Sequence, residues 1–142
     1  MSQDDKIKHL QMIQDIVKRM ADTSAAMKRY ALVAFVATAA LARALEEPGA
    51  MLLAMVVVFI FWALDAQYLS QEKWFRDMYD AVLEKDSGNI DFNLTPSEDV
   101  RNKTGIGYGF DSWSTKWLYL PLLVIAFLLW LIFVKFTITG GG

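Results

Sequence analysis

The chain has no cysteine and a single histidine, His9. The first absence excludes disulfides, Cys-based zinc sites and thiol chemistry; the second excludes a His-rich metal site or a Ser-His triad within one chain. Proline occurs only at 48, 96 and 121, and no proline or glycine falls between Gly49 and Lys85, so nothing there breaks a long helix. Charge is scarce in three places: Tyr30–Leu45, Gly49–Leu64 and Trp117–Phe136 are apolar segments in a chain that is 55% hydrophobic. The N-terminus, Met1–Asp22, is charged and does not read as a cleavable signal peptide.

What is present is an uneven distribution of basic residues. The net charge of −2 hides it, because Asp and Glu are mixed among the Lys and Arg. All Lys and Arg except Arg43 and Lys135 lie in residues 1–29 and 73–116. Basic stretches separated by apolar spans indicate a multi-pass membrane protein with both stretches in the cytoplasm. The expected architecture is all-α with three transmembrane helices, an N-terminal amphipathic helix and a long cytoplasmic extension of the second span. The units are a cytoplasmic amphipathic helix over 1–24, a transmembrane hairpin with its extension over 25–85, a cytoplasmic loop with a short helix over 86–112, and a third span with an external tail over 113–142. The N-terminus is expected in the cytoplasm and the C-terminus outside, in a bacterial inner membrane.

Ile7, Leu10, Ile13, Ile16, Val17 and Met20 recur at helical spacing opposite Lys6, Gln14, Asp15 and Lys18. With no aromatic anchor, this face is expected to pack on another helix rather than lie on the bilayer. Asp22-Thr23-Ser24 interrupts the pattern and offers an N-cap for the next helix. In the first span, Ala34, Thr38 and Ala42 form a small-residue stripe suited to close helix packing. Arg43 can snorkel outward or pair with Glu46 and Glu47, and Pro48-Gly49 makes a tight external turn. The first two spans are each ~16 residues, or ~24 Å of helix, short of a ~30 Å hydrocarbon core. The second continues past Asp65 with Tyr68, Leu69, Phe75, Met78, Tyr79 and Val82, a stripe that matches the N-terminal helix and predicts a small helical bundle.

Asp86-Ser87-Gly88-Asn89 carries turn chemistry, and Thr95-Pro96-Ser97-Glu98 reads as a capping box for a short helix to about Asn102. Gly105–Gly109 is read as loop. Its residues Thr104-Gly105-Ile106-Gly107-Tyr108-Gly109-Phe110 resemble a potassium-channel filter. An extra glycine breaks the spacing, the preceding charged residues cannot form a pore helix, and charge places the loop inside. No strand precedes it, so it is a weak phosphate loop too. Trp113, Trp117 and Tyr119 are expected to form an aromatic belt where the third span begins.

Thr38, Arg43 and Asp65 are the candidate pore or gate residues. For Asp65 the favoured reading is pairing with Lys28 or Arg29 at the same level, over lining an ion path. Lys18, Arg19, Lys28, Arg29, Lys73, Trp74 and Arg76 are candidates for a nucleotide or short-oligonucleotide ligand, combining cations with a stacking aromatic. The competing reading is that the basic residues serve topology and anionic lipid, with Glu72, Asp77 and Asp80 diluting the field. No nucleophile with a base, no metal constellation and no paired carboxylates in a closed site point to catalysis, and no cofactor is expected.

The pattern Phe61-Trp62-x-Leu64-Asp65-x-x-Tyr68-Leu69-x-x-Glu72-x-x-Phe75-Arg76-x-x-Tyr79-Asp80, following a short two-span hairpin, resembles small bacterial membrane effectors of nucleotide-signalling anti-phage systems, Hailong-like or SLATT-like. The resemblance covers roughly residues 5–85; the third span departs from the two-span kind. It implies a homo-oligomeric channel or pore gated by a nucleotide-derived ligand on the cytoplasmic side. The alternative is a non-conducting membrane scaffold recruiting a cytoplasmic protein partner. A transporter subunit is disfavoured, because there is no internal repeat and no broken helix.

Overall fold

The computed structural model describes residues 3–86 and 92–139, and every element among them is an α-helix. The order is α1 (Gln3–Leu45), α2 (Gly49–Glu84), α3 (Glu98–Lys103), α4 (Ile106–Asp111) and α5 (Trp113–Thr139). α1, α2 and α5 are each long and apolar enough to cross a membrane, and the chain is an all-α, multi-pass membrane protein. Their outward faces carry uncovered Val33, Val36, Phe59, Ile60, Val124 and Ile132, as side chains solvated by lipid would be.

α2 is the central helix: α1 packs along it on one side, α5 along part of another, and α3 and α4 lean on it as well. In the apolar half the contact is built on small residues. Ala31 and Ala42 of α1, Ala54 of α2 and Ala126 of α5 are all essentially inaccessible, alongside Phe35, Met51, Val58, Tyr119 and Leu122. Alanine at these positions lets backbones approach closely, the usual source of helix association where apolar burial gives no advantage over lipid. In the polar half, Ile13 and Val82 form a second core with Leu10, Val17, Phe75, Met78 and Tyr79 packed around it. The N-terminal amphipathic face thus packs on the α2 extension as expected, except that Ile7 stays exposed.

α1 does not break at Asp22-Thr23-Ser24, where an interruption was expected. With no glycine or proline there, the two hydroxyls do not cap a new helix. Thr23 donates to the Arg19 carbonyl one turn back (2.8 Å) and Ser24 points inward to Asp65. The α1–α2 turn is short. Glu46 takes a left-handed conformation (φ 55°), and Met51 N–H donates to the Pro48 carbonyl (3.1 Å).

α2 ends at Glu84, where the Lys6 ammonium donates to the Leu83 and Lys85 carbonyls (2.8 and 2.7 Å), a favourable place for a cation. His9, on the amphipathic N-terminal segment, is buried, with Nε2 3.2 Å from the Asn93 carbonyl and its ring against Phe92. Of the turn expected at 86–89, residues 87–89 lie outside the described residues, as do the three terminal glycines. α3 is capped by Ser97, not Thr95: the Ser97 side chain accepts from Val100 N–H, and the Thr95 N–H is taken by Asn93 Oδ1 (2.9 Å).

The largest departure is at Gly105–Gly109, expected as loop: residues 106–109 form most of α4 and Gly105 is its N-cap. Gly109 lies so close to α2 that a Cβ there would overlap the Ala66 backbone, whereas Gly105 and Gly107 have open space. The Gly105 carbonyl accepts from Ser70 (3.1 Å). Thr115, fully buried, donates to the Gly109 carbonyl (2.7 Å) and ties α4 to α5. Pro121 is accommodated inside α5 without ending it.

Candidate functional site

Where the apolar half of α2 gives way to its polar half, Asp65 is completely inaccessible. A carboxylate there is costly unless paired and hydrogen-bonded. Lys28, on the facing turn of α1, places its ammonium 2.7 Å from Asp65 Oδ2. Ser24, one turn earlier on α1, donates to Oδ1 at 2.5 Å and accepts from Lys28 Nζ at 2.9 Å. The three side chains close a triangle across the α1–α2 interface. Positions 24 and 28 share one face of α1, so unbroken helix through residues 22–24 is what assembles it. Of the two partners expected for Asp65, the structure selects Lys28; Arg29 lies on the exposed face.

α5 closes the same site. Tyr119 is fully buried, its ring stacked on Trp62 (centroids 5.9 Å apart, planes 9°), with its hydroxyl beside the Asp65 carboxylate. Tyr119 is therefore not part of the aromatic belt. It lies on the face of α5 that carries Leu122 and Ala126, away from Trp113 and Trp117. The Trp62 indole N–H is buried next to this cluster with no hydrogen-bond partner among the described residues.

Farther along the polar half, Lys18 of α1 and Lys73 and Arg76 of α2 line a groove of about 540 Å³ with Gln14, Tyr79 and Asp80. Gln14 donates to the Tyr79 hydroxyl (3.1 Å) across it. Two of its cations are paired within α2. Arg76 pairs with Glu72 one turn back (2.6 Å), and Lys73 with Asp77 one turn on. The Asp77 carboxylate holds the Lys73 ammonium above the ordinary lysine range. Arg19 faces a shallower depression on α1 with Asp15, Asp22 and Tyr30, to which Lys18 also contributes.

The seven candidate ligand residues are thus only partly brought together. Lys18, Lys73 and Arg76 share a groove, Lys28 is committed to Asp65, and Trp74 is turned away, donating its indole N–H to the Thr104 carbonyl at 2.6 Å. The aromatic ring in the groove is Tyr79. The pore candidates are not brought together either. Thr38 bonds back to the Ala34 carbonyl (2.7 Å), and Arg43 is exposed 3.7 Å from Glu46, both toward the opposite end of the spans from Asp65.

No protein-family profile, curated protein or solved structure matches the chain.

Proposed function

We propose that the chain assembles into a homo-oligomeric membrane channel controlled by an anionic ligand, of the nucleotide or short-oligonucleotide class, at its basic cytoplasmic end. The observation that carries this reading is that α1 and α2 each run unbroken from the Lys18–Lys73–Arg76 groove into the apolar half, and are clamped at the boundary by Ser24, Lys28 and Asp65. α1 is ~65 Å long, with ~38 Å of helix on the polar side of Lys28 and ~26 Å on the other. A ligand that draws the two helices together at the groove rotates them about the clamp. A 10° tilt, taken as an illustrative angle on those arm lengths, moves the far ends by roughly 4–5 Å.

One copy packs its spans around alanines and encloses no water path, so conduction requires several copies. Val33, Ala37, Ala40 and Ala44 leave an uncovered, mostly small-residue stripe on α1 for that contact. An inner-membrane location with the N-terminus inside rests on the basic-residue distribution, and a role in anti-phage defence rests on the resemblance of the Phe61–Asp80 pattern. Purified protein in liposomes is expected to carry ion flux that nucleotides or short oligonucleotides change, and to form a discrete multimer in detergent. A protein that stays monomeric sinks the reading.

The in-helix pairs Lys73–Asp77 and Arg76–Glu72 favour a second reading. A groove of mixed charge suits a protein surface better than a polyanion. A non-conducting scaffold would co-purify with a cytoplasmic partner and show no flux.

A further inference from the structure

α4 and the start of α5 present side chains that no other part of the chain covers. Ile106 and Tyr108 are 52% and 47% exposed, and Trp113 and Trp117, one turn apart with ring centroids at 5.9 Å, are 75% and 67% exposed. The contacts of α4 with α2 give its level. At its start, the Thr104 and Gly105 carbonyls accept from Trp74 and Ser70, about two and a half and one and a half turns respectively on the polar side of Asp65. At its end, Phe110 stacks on Phe59 (6.3 Å, planes 27°) and meets Trp62 edge-on (5.4 Å). Phe59 is ~9 Å of helix on the apolar side of Asp65. α4 therefore straddles the level at which α2 changes from apolar to polar.

We infer that Gly105–Trp117 is a lipid-binding surface, with Ile106, Tyr108, Trp113 and Trp117 seated at the headgroup–acyl boundary of the bilayer. Three features favour lipid over a second copy as the occupant. The patch runs without a break into the uncovered face of α5, at Leu120 and Val124, on a helix long and apolar enough to cross the membrane. Its large side chains are mainly Trp and Tyr, whose apolar rings with a polar edge suit that boundary. Its polar margin carries exposed Arg101 and Lys103 for lipid phosphates. Because Gly109 lies on Ala66 and the two carbonyls are fastened to Ser70 and Trp74, this surface grips α2 where it leaves the membrane, and the inference does not depend on whether the protein conducts.

The absence of cysteine allows a test free of background. Ile106→Cys and Tyr108→Cys are spin-labelled in the full chain, in dilute vesicles of phosphatidylcholine and phosphatidylglycerol, with Val124→Cys and Gln11→Cys as hydrocarbon and water references. Collision with oxygen, which concentrates in lipid, is compared with collision with a water-soluble nickel chelate. Both labels are expected to give oxygen-to-nickel ratios several-fold above Gln11→Cys and below Val124→Cys. A ratio equal to that of Gln11→Cys overturns the inference, because the patch is then in water. Protection from both reagents overturns it too, because the patch is then covered by protein. Circular dichroism checks helical content, and either position alone carries the test if the other variant does not fold.

Discussion

Lys28 and Lys73 are the same residue type on facing helices, and each is paired with an aspartate. Lys28 reaches across to Asp65 of α2, whereas Lys73 turns along its own helix to Asp77. A pair across the interface fixes two helices relative to each other and, at a buried carboxylate, is expensive to break. A pair within one helix adds a few tenths of a kcal/mol to that helix and leaves its neighbour free to move. The chain thus has an ionic tie between its helices at the junction, whereas in the groove beyond it α1 and α2 meet through the Ile13–Val82 core and the neutral Gln14–Tyr79 hydrogen bond.

Removing Asp65 should have the largest effect. Asp65→Ala leaves Lys28 facing an apolar interior and should cost about 3–5 kcal/mol, read as a loss in denaturant unfolding in micelles. Lys28→Met combined with Asp65→Leu should recover most of it; a double variant that loses the sum of the Lys28→Met and Asp65→Leu losses would mean that the two residues are not coupled. Gly109→Ala forces α4 off the Ala66 backbone and should cost about 1–3 kcal/mol, with trypsin cleavage at Arg101 and Lys103 rising as α4 detaches. Ser24→Ala removes a hydrogen bond to a charged group and should cost about 2 kcal/mol, while Thr23→Ala beside it should be nearly neutral. Arg76→Ala leaves the buried Glu72 carboxylate without its cation and should cost about 1–3 kcal/mol, whereas Lys73→Ala should change stability by about 0.5 kcal/mol or less. If the groove binds an anionic ligand, the same two variants abolish the ligand-dependent change in flux, which would separate the two ends of the molecule by function as well as by stability.

The spans, the long second helix and the packing of the N-terminal helix were legible because each rests on periodicity or on the absence of breakers. The Asp65 pairing was legible as well, because a lone carboxylate ending a span needs a cation at its own level. Ser24 was misread as a cap: its hydroxyl has two competing uses, and only the facing helix decides between them. Tyr119 is close to Trp113 and Trp117 in sequence, but its offset of two from Trp117 puts it on the opposite face of a helix, a signal that sequence alone carries. The helical state of residues 106–109 had no local signal. Glycine disfavours helix, and the reason for Gly109 is the Ala66 backbone, some forty residues away in sequence. The separation of Trp74 from the groove cations likewise depends on where Thr104 lies.

The turn at Glu46-Glu47-Pro48 bears on how the protein is made. It is so short that the first two spans meet the membrane as one hairpin with both acidic residues at its tip. The third span follows about 50 residues later, which at ribosomal speed is roughly 2–10 s. For that interval Trp62 and Ala66 lack the cover that Tyr119 and Gly109 later give them.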